Sequence, residues 1–542
     1  MESDWGEKTT IRAGINAIAG EMYATLASTF PVCCASDEFT FFPQAIRDEP
    51  DWSVWDDFSP DRVEEVCARL SGWEAGLEDL ERRGGDRGED FDSRVDAQVL
   101  FRCARALREQ LREVRWHEKQ PTFILTVVTT GILQAMEAGG EALRERIKKL
   151  PAFLGRSARA MESVPDLFVR MGIEMAEATG EWLRTLEVEE GIEASCLALQ
   201  EFTDRLGAVS TVRDFRLAPD VLDRVLADHM GSGLSASDIL DELSDERAYM
   251  RSILQEEAFR IGQGQSWRDA WEKIPLEEIP AGGKLALLGK EIQSLEKHCV
   301  EAGFVDGESV RRSSLEVASL PESLSAVRAA DSYNARPGHP YPGGTFYVFS
   351  GGSLGASSRR VHPVYRMTVA HEAWPGHHML DLSRWNQERP LRRPLEYALF
   401  YEGWACFAEE LVRETGYFDR PYDRLILARR RYRHAVRGAV DILMHMGRLD
   451  LERAARILSG EGFPPERARM TVEKYALRPG YQMCYTLGSR KFRRLYDLFG
   501  KENRAGFVRR VMASGEIGFD HLEGILTGHS GPASSVPGPM GG

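Results

Sequence analysis

Apolar residues recur every three to four positions along most of the chain, the period of helices that turn one face inward. The pattern predicts helices over Ile11 to Phe30, Asp96 to Trp116, Ala142 to Met161, Asp166 to Leu186, Ala194 to Leu206, Ala236 to Ile261 and Gly283 to Ala302. In the second of these, Val99, Leu100, Cys103, Leu107, Leu111 and Val114 form one stripe, and charged residues occupy the opposite faces as solvated surface. Two stretches break the period. Arg82 to Asp92, rich in Gly, Asp and Arg, reads as an exposed loop. Asp331 to Ser358 holds three Pro and six Gly around one β-like run, Thr345 to Phe349. Helix resumes near Pro363 and continues, with turns, to about Leu526. The tail, 528–542, is rich in Gly, Pro and Ser and reads as disordered. The expectation is a mainly α protein with a helical N-terminal region over 1–330, a chemistry-bearing region over 331–527 with a small β element, and that tail.

Composition narrows the classes. Hydrophobic residues make up 43 %, enough for a sizeable core. A formal net charge of -15 argues against a general nucleic-acid binder, which needs an excess of Lys and Arg. The longest apolar stretch, Phe123 to Met136, is interrupted by Thr, Gly and Gln, so no membrane span is expected. The opening residues are charged and polar, without the apolar run of a secretory signal. The eight Cys are scattered without a CxxC pair, which reads as reduced, buried thiols in a cytoplasmic protein.

Chemistry concentrates in one place. Residues 371–378 read His-Glu-Ala-Trp-Pro-Gly-His-His, three His and a Glu within eight positions of a chain with 12 His. Zinc takes neutral imidazoles and carboxylates, and a catalytic zinc keeps one position open for water. The usual helical solution, HExxH, puts two His at i and i+4 with the Glu as general base. Here the slot four after His371 is Pro375. On a straight helix His371 and His378 would share a face but stand about 10 Å apart along the axis, too far for one metal. Pro375 and Gly376 break regular helix, so two residues can bulge out and return His377 to the ligand position. His377 is therefore preferred, with His378 as the alternative or as a substrate contact.

A third ligand is needed from another helix. Glu402, in Tyr401-Glu-Gly-Trp-Ala405, lies twenty-five residues after His377, with a surface carboxylate as the competing reading. Glu409 follows on the same helical face and can orient a ligand. Asp441 and His445, four apart on a predicted helix, form either a substrate or oxyanion contact or an ordinary surface pair. Tyr481 and Tyr485 are phenol donors suited to substrate or to a developing oxyanion, or core residues. Arg478 can take a substrate carboxylate or lie on the surface. The Thr345 to Phe349 run, which includes Tyr347, can align an extended substrate by strand addition. His362, before a proline, reads as structural, and the basic run Arg429-Arg-Arg-Tyr-Arg433 as a helix face. No nucleophile elbow, phosphate loop or dinucleotide fingerprint is present.

These motifs resemble those of the bacterial DUF885 family, which carries HExxPGHH, then EGWA, then VDxxxH, then PGxxxxYxxG. In this chain they are His371 to His378, Glu402 to Ala405, Val440 to His445 and Pro479 to Gly488. The family in turn resembles the helical peptidases of the thimet oligopeptidase and Taq carboxypeptidase type. That resemblance implies a large helical metallopeptidase-like body and a zinc held by two His and a Glu about two dozen residues on. It also implies tyrosines from a late helix at the tetrahedral intermediate, here Tyr485. One departure stands out: the family has Gln after Pro-Gly where this chain has Tyr481.

The resulting expectation is a zinc hydrolase of a peptide or small amide. Zinc would sit on His371, His377 and Glu402, with Glu372 as general base and Tyr485, with His445, toward the oxyanion. A metalloenzyme tailoring a small specialised metabolite, and a non-catalytic metal-stabilised binding protein, are the alternatives. Oligomeric state is not legible.

Overall fold

The computed structural model describes residues 2–85, 91–188, 190–262, 266–321, 330–349 and 359–528. The fold is mainly α, as the period predicts. Helices Gly140–Ala160, Asp166–Leu183, Ile192–Ala208, Ala236–Arg260 and Gly283–Glu301 coincide with predicted ones to within a few residues, while Glu2–Thr29 covers the predicted Ile11 to Phe30 helix but begins well before it. Ser235 fixes the start of one of them, accepting from the Asp238 amide while Asp238 reaches back, the reciprocal cap that satisfies two otherwise orphaned donors. The predicted helix to Trp116 stops sooner. Phe91–Glu109 widens into a π-turn over Gln110–Val114, and Arg115 at φ 54° ends it. The Gln110 carboxamide then accepts from Trp116 Nε1 at 2.6 Å and faces His229 Nδ1 at 3.0 Å.

Much of the Gly-rich Arg82 to Asp92 segment is helical at its flanks, in Pro60–Gly85 and Phe91–Glu109; 86–90 lie outside the described residues, as does the tail beyond Gly528. The apolar stretch within Phe123 to Met136 belongs to Pro121–Ala138, a helix buried on nearly every face. No helix among the described residues is long and apolar enough to cross a membrane. One cluster of buried apolar side chains takes in residues from Ile11 to Leu526, so the core runs without a break across position 330. Each large apolar side chain buried there contributes about 1.5–3 kcal/mol against exposure.

The β element differs from its expected role. The run near Thr345 is the middle strand, Gly344–Val348, of a three-stranded sheet. It pairs in parallel with Leu315–Ser319 and antiparallel with Ser332–Ala335. Both of its edges are taken, Tyr347 standing opposite Ala318 and Ser332, so an incoming substrate cannot add to it. The edge that lies beside the motif helices is Ser332–Ala335, which packs on His377–Asn386.

Candidate metal centre

His371 sits near the end of a short helix, Tyr365–Glu372, whose Met367, Val369 and Ala370 are fully buried. The backbone then leaves the helical region, with Ala373 at φ -113°, ψ -96° and Gly376 at φ -77°, ψ -132°, and a second helix, His377–Asn386, begins at once. The helix is thus ended and restarted, not bulged as the sequence predicts. Pro375 has no N–H to continue the ladder. Gly376 is demanded by space, because a Cβ there would stand 1.8 Å from the carbonyl oxygen of His371. Trp404 pins the break by donating its Nε1–H to the Pro375 carbonyl at 2.8 Å.

Glu402 comes from Ala398–Glu414, a helix buried on all sides from Ala398 to Val412. Its Oε2 lies 3.4 Å from His371 Nε2 and 3.5 Å from His377 Nε2. The ligand-type atoms of the three residues all fall within 4.8 Å of one another. The two imidazoles meet nearly at right angles, with ring centroids 4.8 Å apart. Glu402 Oε2 is fully enclosed and has no hydrogen-bond partner. A buried carboxylate oxygen facing two imidazole nitrogens without hydrogen bonds is unfavourable by itself and suits a divalent cation between them. Burial pushes the Glu402 carboxyl up, but the two imidazoles hold it well below the usual carboxylate range.

Behind His371 stands a relay. Glu409 Oε1 accepts from Nδ1 at 3.0 Å, and Arg430 grips Glu409 with two bonds of 2.6 Å while also reaching Thr368 at 3.2 Å. With Nδ1 donating to Glu409, the Nε2 lone pair is turned to the cluster, the arrangement that orients metal-binding histidines. His377 is held differently: Tyr401 stacks on it at 4.0 Å and donates its hydroxyl to Asp381 at 3.1 Å. Its Nδ1 is buried without a hydrogen bond.

Glu372 is partly buried and its Oε2 accepts the Tyr333 amide from the edge strand at 2.9 Å. Burial raises its carboxyl above the ordinary value, against the opposing pull of His371 and His377.

Tyrosines arrive through glycine contacts. Ala398–Glu414 and Met483–Phe499 touch backbone to backbone: a Cβ on Gly403 would lie 2.5 Å from Gly488 Cα, and one on Gly488 would lie 2.1 Å from the Leu399 carbonyl oxygen. That closeness accounts for Gly in both the EGWA and PGxxxxYxxG segments. Tyr481 donates its hydroxyl to Glu402 Oε1 at 2.6 Å, so it steadies the carboxylate and is not turned to a substrate. Tyr485 lies with its ring nearly parallel to His371 at 6.2 Å and stacks on His434 at 4.8 Å.

Several expected contacts lie elsewhere. His378 is fully buried, with Nδ1 3.2 Å from the Tyr333 hydroxyl and Nε2 3.4 Å from Ser313 Oγ. Burial drives its pKa down to about 3, and both ring nitrogens face neutral hydroxyls and not Glu402, so it stands as a wall residue beside the cluster. His445 donates Nε2–H to the Tyr475 carbonyl at 3.2 Å and meets Phe215 edge-on, away from the cluster. Its partner Asp441 accepts the Gln482 amide at 3.1 Å. The pair therefore shapes the turn carrying Tyr481 instead of facing an oxyanion. Arg478 reaches the Glu38 carbonyl at 3.0 Å and is half exposed. His362 stacks on Trp271, as its structural reading holds.

Tyr333, Tyr401, Arg430 and His434 were not singled out from sequence. Arg430 and His434 are four apart on Asp423–His445, a same-face signal that the basic run concealed.

Fold and site define a mainly helical protein with a buried cluster of two histidines from an interrupted helix and one glutamate from a neighbouring helix. The chain belongs to the DUF885 family, described as bacterial protein of unknown function, whose model matches residues 47–526. It is similar in fold to a solved structure described as a candidate lipoprotein of unknown function from Shewanella oneidensis, with TM-score 0.73, 13 % identity, and coverage of 95 % of this chain and 99 % of that one. A second, described as a candidate lipoprotein from Colwellia psychrerythraea, has TM-score 0.73, 16 % identity, and coverage of 96 % and 99 %. No curated protein matches the chain.

Proposed function

We propose that this protein is a zinc-dependent hydrolase of peptide or amide bonds, a metallopeptidase in type. The observation that carries the reading is Glu402 Oε2, enclosed, without a hydrogen bond, and equidistant within 0.1 Å from the Nε2 atoms of His371 and His377. Zinc held by these three residues would supply the Lewis acidity that polarises a carbonyl and acidifies water. Glu372, next in sequence to His371, takes a proton from the attacking water and delivers it to the leaving amine as the C–N bond breaks and a C–O bond forms. Tyr485 donates to the developing oxyanion. Burial and the nearby Glu402 raise its pKa well above 10, so it holds its proton throughout. Strand addition is not part of this reading, because the Tyr333 and Ala335 amides of the edge strand Ser332–Ala335 are held by Glu372 and Asp37.

A cytoplasmic location belongs to the same proposal, supported by eight free cysteines. The acidic charge supports a substrate other than nucleic acid.

The test is zinc analysis with turnover on a peptide library, for wild type and Glu372→Gln. The variant is expected to keep zinc and lose activity by about 100-fold or more. Loss of metal on substitution would make Glu372 a ligand. Zinc bound without any turnover in wild type would point to a binding protein.

A further inference from the structure

The basic run Arg429-Arg-Arg-Tyr-Arg433 is not the solvated helix face that its sequence predicts. Four arginines of Asp423–His445 are spoken for in different ways. Arg430 is paired with Glu409, and Arg431 with Glu246 and Glu410. Arg429 is buried over the Trp271 ring at 3.9 Å and reaches the Glu461 carbonyl. Arg437 donates to two neutral groups, the Tyr475 hydroxyl at 2.8 Å and the Gln482 carboxamide at 2.5 Å.

Arg433 is the exception. It makes no hydrogen bond or ion pair among the described residues, and its Nε is fully enclosed without a partner. Its guanidinium lies 4.1 Å from the centroid of Phe463. Burial and then Arg429, Arg437 and Arg430 push its pKa down to about 9, so the charges around it are cationic. Only the Nε is fully enclosed and the side chain as a whole is partly buried, so the guanidinium can still take a partner, and a cation set among other cations favours an anion there.

The place of this group ties it to the metal centre. Arg437 is one turn further along the same face, about 6 Å up the helix axis. Its guanidinium carbon lies 5.1 Å from the centroid of Tyr485, whose ring faces both His434 and His371. Neither Arg433 nor Arg437 has a carboxylate within ion-pair distance among the described residues. On a chain of net charge -15, two arginines without a carboxylate partner stand on one helix face, the second of them against Tyr485.

We propose that Arg433, backed by Arg437, receives a carboxylate of the substrate next to the scissile amide, so that the centre selects acidic amides. This rests on the hydrolase reading above. A planar guanidinium can hold a carboxylate with two parallel bonds, and Arg437, fixed by Tyr475 and Gln482, adds charge without moving. The carboxylate can be a chain terminus or an acidic side chain.

The experiment uses the zinc-loaded full chain and calorimetry with three phosphinic dipeptide analogues, which need no turnover. One has a free C-terminal carboxylate, one is its carboxamide, and one is a carboxamide bearing an aspartate side chain. Wild type is expected to bind at least one of the carboxylate compounds about 10-fold or more tighter than the neutral carboxamide, and the preferred compound names the source of the carboxylate. In Arg433→Gln that preference collapses, and in Arg433→Lys it is partly kept, with zinc content and melting temperature measured alongside. Equal binding of all three by wild type, or a preference that survives in Arg433→Gln, overturns the proposal and leaves the hydrolase reading standing. If none of the three binds, the hydrolase reading fails and takes the proposal with it.

Discussion

His377 and His378 are neighbours in the chain and opposites in the molecule. His377 turns its Nε2 to Glu402, at 3.5 Å, in a cluster that also holds His371. His378 is sealed against Tyr333, Trp374 and Ser313, on the side of the sheet. On a helix, adjacent residues point about 100° apart. One of two consecutive histidines can therefore face a cluster while the other braces the wall behind it. What decides between them is where the helix restarts, and Gly376 and Trp404 set that point. A motif rich in one residue type can thus mix chemistry with scaffolding, and burial against neutral partners marks the scaffold.

The support of His371 can be removed without touching His371 itself. Glu409→Ala leaves His371 in place but frees its ring from the Arg430–Glu409 relay. Zinc affinity is expected to fall about 10- to 100-fold, read by competition with a chelating dye. An unchanged affinity would mean that the relay serves folding alone. His378→Ala should act on the other side of the comparison. It is expected to cost about 1–3 kcal/mol in urea unfolding, the range for leaving buried polar partners unpaired.

A smaller effect concerns His445 and Asp441, which also belong to the scaffold. Burial raises the Asp441 pKa to about 8, and burial lowers that of His445 to about 4. An aspartate that keeps its proton in the fold but sheds it when unfolded makes stability fall as pH rises from about 4 toward 8. His445, kept neutral in the fold, makes stability fall as pH drops below its ordinary value near 6.5. Urea midpoints should therefore decline from pH 6 to pH 8, and Asp441→Asn should flatten that decline. A decline of the same slope in Asp441→Asn would show that another group causes it.

Some of this was legible in the sequence, for physical reasons. Helical period marks amphipathic helices, and Gly140–Ala160 or Asp166–Leu183 needed only that. His371, His377 and Glu402 could be chosen because metal ligation restricts residue type and spacing, and Pro375 excludes regular helix. Pairings between distant segments were not legible. Strands Leu315–Ser319 and Ser332–Ala335 are short, and only their register reveals that the Thr345 run is internal. The roles of Tyr481 and His445 depend on the backbone contact of Gly403 with Gly488 and on the turn at Pro479-Gly480, which no periodicity encodes. Arg433 could be told from Arg430 and Arg431 only once their partners, on other helices, were in view.

The proposed zinc site lies between His371, His377 and Glu402, with His378 outside. The direct measurement is zinc stoichiometry and affinity of His377→Ala and His378→Ala, purified in parallel, with circular dichroism confirming that each is folded. Folded His378→Ala is expected to keep one zinc per chain at wild-type affinity, and His377→Ala to lose affinity by orders of magnitude. Folded His378→Ala without zinc, or His377→Ala with wild-type affinity, would contradict it.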